Sequence, residues 1–221
     1  MHTFDTPTPI SVVLGIPAGH VRFIAADRAD TTVEVLPADA SKSRDVKVAE
    51  QTEVSYSDGV LRIEATAKNQ YLGPSGSIEV TVQLPADSRV EVKAASAELR
   101  GVGRLGDVAL ESAHGSVKLD EAASARLSVL AGDVSVGRLG GPAQISAGKG
   151  DIRIDEAMRG TVTLRTEHGE ISVAAARGVS ASLDAGTSYG RIHNALGNPG
   201  GATDLTIHAT TAYGDITARS L

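Results

Sequence analysis

The sequence predicts an all-β chain, a single-chain parallel β-helix (β-solenoid) of about seven coils with an all-β N-terminal lead-in or cap, and three observations carry that expectation. A unit of 17 to 24 residues recurs about seven times from Val90 to the C-terminus, centred on Ala97, Gly115, Gly132, Gly150, Gly169, Gly190 and Gly214. A fixed period in this range marks a solenoid, in which each copy buries its face only against its neighbours. In the first five copies, the residues seven and five before each centre and two and four after it are apolar in nineteen of twenty cases, Gly101 being the exception. At 41% hydrophobic composition, chance would give about eight. Finally, Ile or Val stands two residues after the centre in six of the seven copies, and stacking like branched residues is what a parallel coil rewards. A run of β-hairpins in an antiparallel sandwich is the rival architecture, and it gives no reason for like residues at like places.

Taken in chain order, residues 1–89 are expected to form a β-strand segment that is continuous with the solenoid or caps it, and residues 90–221 the Gly-centred repeats. Strand candidates in the first segment are Ile10–Leu14, Val21–Ala25, Thr32–Leu36, Val46–Val54, Val60–Ala65 and Ile78–Leu84, separated by turn residues such as Pro17, Gly19 and Ser57 to Gly59. No segment there has the spacing of an amphipathic helix, and Pro85 is the expected joint. Each repeat then supplies two short strands around a tight turn. The inward set runs from Val90, Val92 and Leu99 through Val108, Leu110, Val117 and Leu119 to Val162, Leu164, Ile171 and Val173. Between them stand polar or small residues such as Glu91, Lys93, Lys118, Arg126, Gln144 and Arg153, the period-two alternation of a strand with one wet face. The last two copies are looser, with Leu183, Ile192, Leu205, Ile207 and Ile216 in the apolar places. The centre Gly is expected to supply a positive φ.

Composition narrows the function classes. The chain has 221 residues, a formal net charge of −6 and scattered Lys and Arg, so no nucleic-acid footprint is expected. It contains no Cys, which removes disulfides and thiol chemistry. Residues 1–19 lack the basic and apolar regions of a leader, and no stretch is long enough to span a bilayer, so the expectation is a soluble, cytoplasmic protein.

Several patterns invite sharper chemistry. Gly101, Gly103 and Gly106 have dinucleotide-fingerprint spacing, but that motif needs a helix after it and a repeat strand follows instead. The residues just after the centres, Ser116, Asp133, Asp151, Glu170, Arg191 and Asp215, would line one edge, with Asp133, Asp151 and Glu170 the uninterrupted acidic run. Three side chains fall short of the six or more oxygens calcium takes, and turn acids ordinarily bond nearby backbone N–H groups. Such a row with Lys149, Arg153 or Arg165 as base would suit a polysaccharide lyase, yet at 3% aromatic content the chain offers few sugar platforms. Tyr189 and Tyr213 share one repeat position and are expected to pack at the turn. His114 and His168 both precede a centre Gly but sit three coils apart, about 14 Å at solenoid spacing, too far to share a metal. His2, His20, His193 and His208 have no partner spacing, and no Ser has a base nearby in sequence. No residue is assigned to catalysis, a cofactor or a metal.

The units "SAHGSVKL", "LAGDVSV", "GKGDIRI", "TEHGEISV" and "AYGDITA", with the opening "FDTPTPISVVLGIPAGHVRFIAAD", resemble the DUF4097 family of β-strand repeat proteins, candidate adhesins related to the toastrack domains of bacterial envelope-stress systems. The resemblance covers essentially the whole chain. It implies a β-solenoid used as a structural or interaction surface, with no catalytic residues to carry over. The function expected is therefore a non-catalytic scaffold that binds a protein partner or self-associates, with calcium-dependent carbohydrate binding or lyase activity as the alternative. Because "YGDITARSL" ends without an evident cap, self-association is expected through Ala202 to Leu221.

Overall fold

A computed structural model describes residues 1–65, 76–198 and 202–221 of the chain, which is almost entirely β. Its contacts divide it into two compact units, Met1–Gly115 and Ser116–Leu221.

The first unit contains β1 (His2–Asp5), β2 (Ser11–Ala26), β3 (Asp30–Pro37), α1 (Ser43–Gln51), β4 (Thr52–Ser57), β5 (Val60–Ala65), β6 (Ile78–Pro85) and β7 (Arg89–His114). β2 is itself a coil of the repeat. It pairs in parallel with β7 from Ser11↔Arg89 to Ile24↔Val102, and on its other edge with β5 and β6. Gly19 is its centre, in register with Ala97, and Val12, Leu14, Val21 and Phe23 occupy the four inward places, all buried. The repeat therefore begins before Val90, and after the end of β6 at Pro85 a short turn leads into β7 at Arg89. Beyond β5 and β6 the pairing turns antiparallel: β4 on β5 through an Asp58-Gly59 turn, β3 on β6, and β1 on β3. Asp58 has φ 51° and Gly59 φ 76°, the two positive values that a tight hairpin turn demands.

Residues Val46–Val54, expected as a strand, are helical up to Gln51. Asp45, Val48 and Ala49 fall at i, i+3 and i+4 and, with Val46, are the helix's covered residues, a helical spacing that prevails over the strand-like alternation of Val46 and Val48. The buried Asp45 carboxylate accepts a hydrogen bond from Ser77 N–H at 2.9 Å and stands in the first turn, where the helix dipole favours an acid. Packing on β3 decides the conformation.

The second unit comprises β8 (Val117–Ala131), β9 (Val134–Leu139), β10 (Ala143–Lys149), β11 (Ile152–Ala157), β12 (Gly160–His168), β13 (Ile171–Ala175), β14 (Ala181–Tyr189), β15 (Ile192–Ala195), β16 (Leu205–Tyr213) and β17 (Ile216–Ser220). Every pairing within it is parallel. One face runs β8, β10, β12, β16, β14, and the other runs β8, β9, β11, β13, β17, β15. All twenty inward positions predicted for the first five copies are buried. Fully burying one Val, Leu or Ile contributes about 1.5–3 kcal/mol, so the apolar filling of each rung is what holds it on the next.

The rung order departs from the chain order at the end. The C-terminal coil β16/β17 lies between β12/β13 and β14/β15, paired on both edges, so Ala202 to Leu221 does not form the open end of the stack. The reason lies in the two inward sets. Position for position, Leu205 and Ala218 of β16/β17, both fully buried, stand where β14/β15 has only Ala181 and Asn194. The coil with the better apolar set takes the interior rung. The return of the chain is pinned where Asp204 N–H donates to Ser180 O and Gly160 N–H donates to Asp204 O.

Candidate functional site

The corner of each rung in the second unit is built on its centre Gly, because consecutive rungs approach there with no room for a side chain. A Cβ on Gly150, Gly169, Gly214 or Gly190 would lie far inside 3.0 Å of the carbonyl oxygen of Gly132, Gly150, Gly169 or Gly214 respectively. That column sets the geometry of the three columns beside it.

One residue after the Gly, the acids form a ladder. Asp133 Oδ1 accepts from Asp151 N–H at 2.9 Å, Asp151 Oδ1 from Glu170 N–H at 2.8 Å, and Asp215 Oδ1 from Arg191 N–H at 2.8 Å. Because the last coil is inserted, Asp215 follows Glu170 directly, and the run becomes Asp133, Asp151, Glu170, Asp215. Arg191 terminates it, its guanidinium 3.5 Å from Asp215. These carboxylates cap the backbone of the next rung, as turn acids do. Among the described residues no group of three or more His, Asp or Glu is placed to hold a metal.

Three residues before the Gly stands Thr in the last three rungs of the stack. Thr166, Thr211 and Thr187 donate from Oγ1 to Gly150 O, Gly169 O and Gly214 O at 3.0, 3.1 and 3.1 Å. Those rungs read TEHG, TAYG and TSYG, a T-x-x-G signal legible in the sequence but not used above. One residue before the Gly, their rings stack: His168 on Tyr213 and Tyr213 on Tyr189, each pair at 4.9 Å between centroids and nearly parallel. The expected packing of the two tyrosines at the turn holds, and His168 joins them only because of the rung order. Tyr213, between two rings, is 50% exposed, and Tyr189, at the outer end of the stack, 68%.

On the outward side of the β12, β16, β14 face, Gly186 carries no side chain over the column of Arg165 and Thr210, and a cavity of about 310 Å³ opens there. Arg165, Glu167, Thr210 and Ser188 line it. The other basic residues considered for lyase chemistry are elsewhere: Lys149 is in register with His168 at the corner, and Arg153 pairs with Asp155 on the β11 face. Likewise His208 faces Asp184 at 3.3 Å and His20 faces Glu98 at 3.4 Å, each an exposed cross-rung pair. In the first unit, Gly103 has φ 79° and Gly106 packs against Asp87 O within β7, so the G-x-G-x-x-G spacing serves a strand bend with no helix after it. There too, the Arg104 guanidinium holds the Asp87 carboxyl below its ordinary range, and Arg28 does the same to Asp30. Ser41 hydroxyl and backbone donors lower Asp39. No helix among the described residues is long and apolar enough to cross a membrane.

The family model described as Toastrack DUF4097 matches residues 14–220. Among solved structures the chain is similar to a candidate adhesin from Parabacteroides distasonis ATCC 8503, with 12% identity, 98% of this chain and 95% of that one covered, and a TM-score of 0.51. A candidate adhesin from Bacteroides fragilis NCTC 9343 gives 11% identity, coverage of 98% and 95%, and a TM-score of 0.49. A candidate cell adhesion protein from Clostridium sporogenes ATCC 15579 gives 12%, 100% and 98%, and 0.41. At such identities the first likeness speaks to fold alone, and the other two carry no argument. No curated protein matches the sequence.

Proposed function

The chain belongs to the Toastrack DUF4097 family, and from that premise we propose that it is a non-catalytic interaction scaffold that engages a protein partner through the outward face of its second unit. The observation that carries this reading is how the ionisable groups are used. Asp133, Asp151 and Asp215 bond the backbone of the next rung, Arg153, Arg138 and Arg191 pair with Asp155, Glu156 and Asp215, and His208 pairs with Asp184, so none of these groups converges on a nucleophile. A catalytic site would need such convergence. What remains is a flat parallel sheet with polar columns and one acid and one base, Glu167 and Arg165, at a cavity, which suits specific but modest protein contact. Co-purification from the native cell tests it. A retained protein lost on Arg165→Glu supports the reading; an identical set of proteins on wild type and variant removes it. The cytoplasmic location expected from the sequence is proposed with it, and fractionation of the native cell checks it.

Calcium-dependent carbohydrate binding or cleavage is the second reading, favoured by one observation: the inserted coil brings Asp215 beside Asp133, Asp151 and Glu170 in a single column. Against it, three of those four side chains already accept backbone N–H bonds. Calorimetry with calcium, followed by a panel of uronate polymers, decides it: absence of heat and of unsaturated product removes this reading.

A further inference from the structure

We propose that the β14/β15 end of the second unit is a homodimerisation surface, on which a second copy of this chain seats its own β14/β15 rung across a twofold axis. β14 pairs only with β16 and β15 only with β17 among the described residues, so the outer backbone edge of both strands is open. The inward places of this rung are open as well. Ile192 is 45% exposed, while Ile216, its partner in register, is fully buried, and Leu183 is half-buried where Ile207 is fully buried. Tyr189 presents its outer ring face one stacking distance beyond Tyr213. An open strand edge over an unfilled apolar interior is a template for added β structure.

The outline and charge of the rung select the occupant. Its two strands meet at the Gly190 corner, so one extended peptide continues only one of them, whereas an identical rung follows both. Two such ends face to face run antiparallel, a sound ladder geometry, and form the self-complementary contact of a twofold dimer. Residues 181–198 carry one acid, Asp184, and one base, Arg191, so they are formally neutral in a chain of net charge −6, and two copies meet there without repulsion. A twofold through the corner brings Tyr189 of one copy beside Arg191 of the other, whose side chain is 91% exposed, a cation–π arrangement. Eighteen residues a side fall just below the roughly 20–30 of a standard interface, the size of a weak, reversible contact.

This surface is separate from the lateral face proposed above, and its test succeeds or fails independently. Sedimentation velocity from about 1 to about 200 µM, bracketing micromolar affinities, should show a monomer–dimer equilibrium that Ile192→Lys weakens by about tenfold or more. Gln144→Lys, on the outward face of β10, is the control and should leave the equilibrium unchanged. A monomer throughout the range, a dimer unmoved by Ile192→Lys, or one weakened equally by Gln144→Lys overturns the proposal.

Discussion

Replacing Gly169 by Ala tests the stacked-corner architecture where two rungs approach closely. The added methyl would fall far inside 3.0 Å of Gly150 O and about 3.0 Å from Asp151 Oδ1, at a backbone φ of 155°. Backbone cannot swing away as a flexible side chain can, so the two rungs must part. Three bonds hold them and their neighbours at that corner: Gly150 N–H to His168 O and Gly169 N–H to Tyr213 O, both 2.9 Å, and Glu170 N–H to Asp151 Oδ1 at 2.8 Å. Weakening them at about 1 kcal/mol each, with about 1–3 kcal/mol for overpacking, gives a loss of about 4 kcal/mol or more. For a chain of this size that lowers Tm by roughly 8–16 °C. Two other glycines calibrate the measurement. At Gly178, φ is 79° and nothing lies within 4 Å, so Ala costs only backbone strain, about 1 kcal/mol. Gly186, inside β14, has open space and an ordinary φ, so Ala there is neutral or stabilises by up to about 1 kcal/mol. Urea and thermal unfolding followed by far-UV circular dichroism should rank the losses Gly169→Ala, then Gly178→Ala, then Gly186→Ala. A Gly169→Ala protein within about 1 kcal/mol of wild type would refute the close approach of the rungs.

Thr211→Val keeps the shape of a side chain only 5% exposed but removes the hydroxyl bond to Gly169 O, and should lower stability by about 1 kcal/mol in the same assay. Tyr213→Ala breaks two ring stacks and Tyr189→Ala one, so the first should cost more, with each stack contributing about 0.5–1.5 kcal/mol. Asp87→Asn tolerates the left-handed φ of 64° and so isolates the charge facing Arg104. Since Arg104 lowers the folded-state pKa of Asp87, its stabilisation is present above the ordinary carboxylate value of 3.8 and fades as pH falls through and below it. Wild type should therefore exceed the variant by at most about 1 kcal/mol at neutral pH, for an exposed pair, and the gap should close in acid. Asp151→Ala leaves Glu170 N–H without its acceptor and should destabilise by about 1 kcal/mol, whereas Asp151→Asn, which retains an oxygen, should cost less. Their unfolding midpoints check the order.

Much of the fold was legible because period-two alternation around a fixed centre reports directly on which side chains face inward. The same template, applied to Gly19 with Val12, Leu14, Val21 and Phe23, would have found the coil of β2, which lies apart from the periodic run because β3 to β6 intervene. The helix at Ser43–Gln51 was hidden by Val46 and Val48, whose alternation is a strand signal until packing on β3 favours the Asp45, Val48, Ala49 face. In the candidate site, the acidic ladder was visible as residues one past each Gly, and its bonding to backbone N–H groups is what turn chemistry predicts.

Local spacing alone thus determined the coils, their inward residues and the glycine corners, since a rung must fill its own interior and meet its neighbour at one rung height wherever it stands. The order in which rungs stack is a different matter, because it is a contest between whole coils for the interior place. The coil with Leu205 and Ala218 won it over one carrying Ala181 and Asn194 at those places, and only the tertiary structure shows that outcome. From that exchange come the stack of His168, Tyr213 and Tyr189, the contact of Arg191 with Asp215, and an open end at β14/β15 instead of at the C-terminus.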